Sequence, residues 1–138
     1  MQFFIYLYSP SGMPSFYKKA IGEYEKRLGR YGKVSLRLIR KEKEWRKCLT
    51  GTEAGWYIVP GPSFSSEEFS EKITGWEGER RKEVSFFIGT EEDGDSYPHI
   101  FRPFSLSCFR MEGPMTAMIL TEQIYRGYRI IHHHPYHK

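Results

Sequence analysis

The sequence is poor in cysteine, has no long apolar run and carries none of the common nucleotide-binding motifs. Its 138 residues include only Cys48 and Cys108, which lack CxxC spacing, so we expect two reduced thiols and no disulfide framework. The apolar stretch from Phe3 to Tyr8 is too short to span a membrane, and no basic region or cleavage site marks a signal peptide. Neither the P-loop nor the three-glycine dinucleotide motif is present. These absences predict a cytoplasmic protein without a membrane partner.

The charge of the chain is mildly basic and unevenly distributed. Lys and Arg number 21 against 17 Asp and Glu, which gives a net charge of +4. Between residues 37 and 47, six basic residues are opposed only by Glu42 and Glu44. Such a cluster can neutralise phosphates and steer a protein towards nucleic acid. It can equally be the solvated face of a strand and a helix, and charge alone leaves both interpretations open.

The spacing of apolar residues predicts alternating strands and helices. Runs of β-forming residues predict strands at 2–8, 34–38, 56–59, 84–88 and 104–107. Helical spacing predicts helices at 16–28 with Ser15 as the N-cap, at 42–49, at 115–128, and after Ser65, where Glu68 completes a capping box. The alternation predicts a single domain, residues 1–138, with an α/β sandwich around a mostly parallel sheet. Ligands of such sheets bind at the carboxyl ends of the strands, here the loops beginning at Pro60, Gly89 and Ser107.

Two segments carry many titratable side chains. Glu91 to Asp95 has four carboxylates in five residues, which would repel a pyrophosphate but tolerate a cation such as S-adenosylmethionine. The alternative is an exposed acidic turn. The tail contains His132, His133, His134 and His137, but it lacks the companion cysteines or HExxH spacing of metal sites, so we expect no metal. His137 is of more interest as a proton acceptor, because an ordinary imidazole has a pKa of about 6.5.

Five short motifs follow one another in a fixed order. Ser65 to Phe69 and Phe87-Ile88-Gly89 come first, and Ser105-Leu106-Ser107 leads towards the last helix. That helix carries Glu122-Gln123-Ile124-Tyr125-Arg126, and Pro135-Tyr136-His137 lies at the end of the chain. This series resembles the ribosomal RNA large subunit methyltransferase H family, a minimal branch of the SPOUT superfamily. The resemblance covers essentially the whole chain.

The resemblance implies a fold, a reaction and partners. The fold would be a SPOUT-type three-layer α/β/α sandwich with a C-terminal trefoil knot, a feature otherwise nearly absent from proteins. Family members are homodimers that bind S-adenosylmethionine in the knot, and the partner subunit helps to complete the active site. They methylate N3 of a pseudouridine in helix 69 of 23S rRNA on the assembled ribosome. The implied partners are a second copy and 23S rRNA within the ribosome, and DNA is not expected.

Carried over position by position, the resemblance implies three groups of site residues. The cofactor would be held by Tyr57, Gly61, Gly89, Thr90, Leu106, Ser107, Cys108, Phe109, Arg110 and Met111. The target base would meet Glu122, Arg126, Tyr136 and His137. The rRNA would contact Arg37, Arg40, Lys41, Lys43 and Lys138. These residue types suit the reaction, because an imidazole can accept the N3 proton and a cation can stabilise charge that develops on the base.

The chain departs from the family pattern at several of these positions. The second glycine of the strand-end pair is Thr90, and a Leu-Asp pair is replaced around Tyr57-Ile58. The Pro-His of the knot loop falls at Glu112-Gly113, and a following arginine falls at Ala117. Two hypotheses therefore remain. A histidine from the range 132–134 replaces the missing one and the chain is an active methyltransferase, or the chain is a catalytically silent RNA- or ribosome-binding dimer.

Overall fold

The sheet is parallel between all of its described strands. A computed structural model of the chain describes residues 1–89 and 97–133. Its strands are β1 (Gln2–Tyr8), β2 (Lys33–Ile39), β3 (Trp56–Ile58), β4 (Glu83–Ile88) and β5 (Arg102–Phe104). They lie in the order β2-β1-β4-β3-β5. β1 is paired along its length with β2 on one side and with β4 on the other. A strand inside a parallel sheet needs side chains that suit burial on both faces.

Helices cover both faces of the sheet. They are α1 (Ser15–Leu28), α2 (Glu42–Thr50), α3 (Ser66–Gly78) and α4 (Gly113–Ile131). The face formed by Phe3, Ile5 and Leu7 of β1 packs against α1, α3 and α4. The opposite face packs against α2 and the segment 97–101, through Trp45, Leu49, Tyr97 and Phe101. The predicted three-layer α/β/α sandwich is thus confirmed.

The strand β4 is the most deeply buried element of the sheet. Every residue from Val84 to Ile88 is buried, and Phe86 and Phe87 are fully so. Because alternate residues of a strand point to opposite faces, Phe86 enters the larger core and Phe87 the smaller one. This apolar run is what the sequence pattern predicted for the best buried strand. The capping box at the start of α3 is also present, with Ser65 and Glu68 bonded reciprocally.

Several predicted boundaries differ from the observed ones, among them those of β5, α1 and α4. The last strand is Arg102–Phe104, not 104–107, because its ladder with β3 ends when the amide of Val59 donates to the carbonyl of Phe104. α1 begins at Ser15 itself, and its N-cap is Pro14 without a side-chain hydrogen bond. α4 begins two residues before the predicted start, with Pro114 in its first turn, where a missing amide hydrogen costs nothing.

The helix α4 runs from one end of the sheet to the other. A Cβ on Gly113 would be 2.6 Å from Cδ1 of Leu7, so α4 begins against the carboxyl end of β1. Its last turns lie at the amino end, where Tyr128 stacks on Tyr31 and is near Gly32. Its 19 residues correspond to a length of about 28 Å. In residues 1–89 and 97–133, no helix combines the length and apolar character needed to cross a membrane.

Candidate functional site

A cavity of about 820 Å³ opens at the carboxyl ends of three neighbouring strands. The strand-end residues Tyr8, Ile58 and Ile88 form its floor. Such a crevice is where open parallel sheets bind small molecules, because loops diverge there and helices begin there. Its volume is within the range of small-molecule sites in proteins.

One wall of the cavity is the loop between β1 and α1, residues 9–14. Two hydrogen bonds within the loop hold it. The hydroxyl of Ser9 donates to the carbonyl of Gly12 at 2.7 Å, and the amide of Gly12 donates to the carbonyl of Ser9 at 2.9 Å. Gly12 has a φ of 85°, which glycine adopts without strain. A Cβ at this position would also lie 3.4 Å from the guanidinium carbon of Arg40, so the Arg40 side chain lies close behind this loop.

The opposite wall is the segment that leads from β5 into α4. The amide of Gly61 donates to the carbonyl of Ser107 at 3.1 Å, which ties this segment to the end of β3. The hydroxyl of Ser107 accepts from the amide of Phe109 at 3.0 Å and bends the chain. The segment thus crosses from the edge of the sheet back to β1, where α4 starts.

A carboxylate stands where this segment meets α4. Glu112 is the N-cap residue of α4, but its side chain makes no capping bond. Instead its Oε1 accepts a hydrogen bond of 2.9 Å from the hydroxyl of Tyr17, on α1. This hydrogen bond raises the pKa of Tyr17 above its usual value, and the burial and negative charge add to the effect. Among the described residues of the cavity wall, Glu112 is the only acidic one.

Comparison with known proteins assigns this arrangement to a family. A family model described as "Predicted SPOUT methyltransferase" matches residues 1–137 of the chain. The chain belongs to the SPOUT methyltransferase family.

Individual relatives agree with this assignment. The ribosomal RNA large subunit methyltransferase H 1 of Thermoanaerobacter sp. (strain X514) is 36% identical over 124 residues, which cover 89% of this chain and 90% of the relative. Relatives named ribosomal RNA large subunit methyltransferase H from Bifidobacterium animalis subsp. lactis and Neisseria gonorrhoeae are each 31% identical, with at least 89% of either chain covered. The family resemblance inferred from the ordered motifs is therefore confirmed.

In this member of the SPOUT family, six of the ten predicted cofactor residues line the cavity. They are Gly89, Leu106, Ser107, Phe109, Arg110 and Met111. Gly61 lies behind the wall and holds it through its amide. Cys108 is exposed and Tyr57 faces the other side of the sheet, where it stacks on Tyr97 with ring centroids 4.6 Å apart. Thr90 lies outside the described residues.

Of the predicted catalytic residues, the two that the structure describes lie away from this cavity. Glu122 and Arg126 form an ion pair of 2.7 Å on α4, nine residues or more beyond its first residue. That spacing places them about 13 Å or more along the helix axis from Gly113, so they are not on the cavity wall. Tyr136 and His137 lie outside the described residues, as does Lys138.

The described end of the chain lies far from the cavity. From Thr116, the last wall residue on α4, to His133 the helix and its final turn span about 25 Å away from the cavity.

The predicted RNA contacts on α2 and the preceding strand are all accessible. Arg37, Arg40, Lys41 and Lys43 are exposed. Arg40 lies close to the loop that forms one wall, because a Cβ on Gly12 would be 3.4 Å from its guanidinium carbon. Arg40 thus places a positive charge beside the cavity.

Sequence reasoning missed two parts of the wall. Residues 9–14 were not assigned to the site, although they follow a buried strand of a parallel sheet and the strand-end rule applies to them equally. Glu112 was noted only as a departure from the family pattern. Within residues 1–89 and 97–133, no group of three or more His, Cys, Asp or Glu side chains is arranged to hold a metal ion.

Proposed function

We propose that this chain is an S-adenosylmethionine-dependent methyltransferase that modifies N3 of a pseudouridine in helix 69 of 23S rRNA. It would act in the cytoplasm as a homodimer of single-domain protomers, residues 1–138, each with a knotted C-terminal segment. The observation that carries the proposal is the cavity at the carboxyl ends of β1, β3 and β4 in a SPOUT family member. The names of its relatives support large-subunit rRNA as the substrate.

The chemistry of the cavity wall fits an adenosyl methyl donor. Ile58, Ile88 and Leu106 offer apolar surface for an adenine ring, and Ser9 and Ser107 lie beside backbone groups that can bond a ribose. No P-loop is present, and a donor without phosphates needs none. When bound there, S-adenosylmethionine would supply an activated methyl group.

The remaining task of the protein is to prepare the base. N3 of a uracil-type ring carries a proton, which must leave when the N3–methyl bond forms. An imidazole such as that of His137 can accept this proton, and a nearby cation can stabilise negative charge on the ring. Fixing the ring in line with the donor contributes further acceleration by removing the entropy cost of encounter.

A second copy would supply the parts that one protomer lacks. Because the described helix carries the chain about 25 Å from the cavity wall by His133, we expect Tyr136 and His137 to serve the cavity of a partner. Large apolar side chains also lie exposed around the cavity: Phe16 is 62% exposed, Phe109 77% and Met115 37%. Covering such surface is the usual role of an oligomer interface. The homodimer is thus supported by the geometry at both ends of α4.

Two measurements test the enzymatic proposal. Calorimetric titration should give binding of S-adenosylmethionine to the purified protein, and the absence of binding at millimolar donor would remove the proposal. Mass mapping of 23S rRNA from cells with and without the gene should show one methyl group lost at a pseudouridine of helix 69. An unchanged map would refute the substrate assignment even if the donor binds.

A catalytically silent RNA- or ribosome-binding dimer is the second candidate. It is favoured by Glu112-Gly113, which stands where the family resemblance places Pro-His. Transfer of labelled methyl groups to ribosomes by the purified protein would eliminate it. Ribosome binding without transfer would establish it.

The basic surface formed by Arg37, Arg40, Lys41 and Lys43 gives a separate prediction about RNA binding. Each phosphate contact adds about 0.7 to 0.9 to the slope of log affinity against log salt concentration. Replacing Arg40 and Lys41 by glutamine should therefore reduce that slope by about one to two, measured with rRNA fragments or ribosomal subunits. The matched control replaces Arg80 and Lys82, which lie at the amino end of the sheet. An equal reduction in the control would show that only net charge matters.

A further inference from the structure

Two helices begin at the cavity, and neither has an acidic residue in its first turn. Pro14, the N-cap of α1, and Gly113, the first residue of α4, both belong to the wall. The N-terminus of a helix carries the equivalent of roughly +0.5 charge. Together the two helices would make the cavity unfavourable for a cation. S-adenosylmethionine has two cationic groups, the sulfonium and the α-ammonium, and one carboxylate. The helix N-termini suit the carboxylate, but the net positive charge of the donor calls for a negative charge on the wall.

Glu112 is placed to provide that charge. Its carboxylate is held between the two helix starts by the hydroxyl of Tyr17 on α1, at 2.9 Å. Only Oε1 is used in this bond, and within residues 1–89 and 97–133 no partner is found for Oε2. One full negative charge offsets about +1 from the two helices. Arg110, also on the wall, is exposed and has an interaction of its own. The bond to Tyr17 fixes the carboxylate without neutralising it, because a phenol donates the hydrogen bond and keeps its proton.

We propose that Glu112, positioned by Tyr17, is the residue that recognises the positive charge of the methyl donor. This inference rests on the proposed function and deepens it, because it assigns the donor's cationic part to one side chain. It also gives a role to Glu112, which stands where the family resemblance places a proline. Glu112 is exposed in the protomer, so solvent screens its charge in part and the expected effect is moderate.

The experiment compares three ligands by calorimetric titration of the full-length protein. S-adenosylmethionine carries the sulfonium and the ammonium, S-adenosylhomocysteine carries only the ammonium, and 5′-methylthioadenosine carries neither. In Glu112→Gln, we expect the affinity for S-adenosylmethionine to fall about tenfold, and the affinity for 5′-methylthioadenosine to stay within twofold. A parallel loss for S-adenosylhomocysteine would assign Glu112 to the ammonium, and an unchanged value would assign it to the sulfonium.

Two further variants control the interpretation. Tyr17→Phe keeps the charge but releases the carboxylate, so it should lower the preference for S-adenosylmethionine over 5′-methylthioadenosine less than Glu112→Gln does. Glu71→Gln makes the same charge change on the exposed surface of α3 and should leave all three affinities unchanged.

The outcomes separate the inference from the proposed function. Equal losses for all three ligands, or no loss for any, would overturn the role of Glu112 while leaving the methyl donor in place. If none of the three ligands binds the unaltered protein, the proposed function itself fails.

Discussion

Tyr128 is held from three directions at the amino end of the sheet. Its ring stacks parallel to that of Tyr31 and meets Phe3 edge-on. Its hydroxyl donates a 2.7 Å hydrogen bond to Glu77 on α3, and the side chain is 2% exposed. Burial, and then the bond to Glu77, raise the pKa of Tyr128 well above its usual value.

This shift predicts a loss of stability at high pH. The unfolded chain loses the phenol proton above about pH 10, whereas the folded protein retains it. The contribution of Tyr128 is therefore complete below pH 10 and declines above it, by up to about 1.4 kcal/mol per pH unit. In urea unfolding between pH 9 and 11, the stability advantage over Tyr128→Phe should shrink as pH rises. A constant difference across that interval would contradict this account.

At the scale of single residues, the sequence marked some important side chains but did not predict which distant residues they bond to. The pattern marked Glu112 as unusual, yet its partner Tyr17 is 95 residues away and no local rule joins them. Glu122 and Arg126 were predicted to meet the target base. The structure shows instead that they pair with each other, four residues apart on one helix. The capping box of Ser65 and Glu68 was predictable because both partners lie within one turn.

The packing of α3 against α4 depends on a glycine at their closest approach. A Cβ on Gly127 would be 2.8 Å from Cδ1 of Ile73, whose side chain is fully buried. The two helices are therefore closer at this point than an alanine allows. Gly75, also on α3, has nothing within 4 Å of an added Cβ.

These two glycines predict opposite effects of the same substitution. Gly127→Ala should lower the free energy of unfolding by about 1–3 kcal/mol, because the helices must separate or Ile73 must leave its rotamer. Gly75→Ala should raise it by about 0.5–1 kcal/mol, since alanine loses less backbone freedom in a helix. Urea titrations at one protein concentration check both. Loss of stability in both variants would indicate a general intolerance of the helices to alanine.

Among the elements, those with strong apolar periodicity were predicted closely, whereas the edge strand β5 was predicted with wrong bounds. β1 and β4 follow directly from their runs of buried side chains. β5 has only three residues, of which Arg102 and Pro103 are exposed, so its position depends on pairing with β3. Phe104 is the only buried residue of that strand, and it was assigned to the wrong end.

At the scale of the whole molecule, α4 separates the cavity from the start of the tail by the length of the sheet. If the tail works in a partner's cavity, two different defects should complement each other. One variant lacks residues 135–138, and the other is Ser11→Trp, which fills the cavity from an exposed wall position. Neither homodimer should transfer methyl groups.

Mixing the two variants under exchange should restore activity. Half of the randomly formed dimers contain one tail-deleted protomer and one Ser11→Trp protomer. Each mixed dimer has one intact site out of two, so about a quarter of the original activity is expected. Calorimetry on the tail-deleted protein should show that it still binds the donor. A mixture as inactive as its components would mean that the tail does not act in a partner.

The order of the strands in the sheet could not be predicted from the sequence. Alternating strands and helices favour a parallel sheet, but the order β2-β1-β4-β3-β5 depends on which non-local pairings form. The strand-end rule did point to Pro60, Gly89 and Ser107, and all three line the cavity. The same rule applies to residues 9–14, which follow β1 and form another wall, but they were not assigned to the site.

The pairing of β1 has a consequence for how the chain is made. β1 leaves the ribosome before its two neighbours and can join β2 early, yet its other edge stays open until residues 83–88 have been synthesised. The apolar face of both strands then waits longer still for Leu120 and Ile124 of α4. Nascent chains of this protein should therefore expose an unpaired strand edge and an apolar sheet face for most of translation. Such surfaces are prone to aggregation, and we expect chaperones at the exit tunnel to bind them.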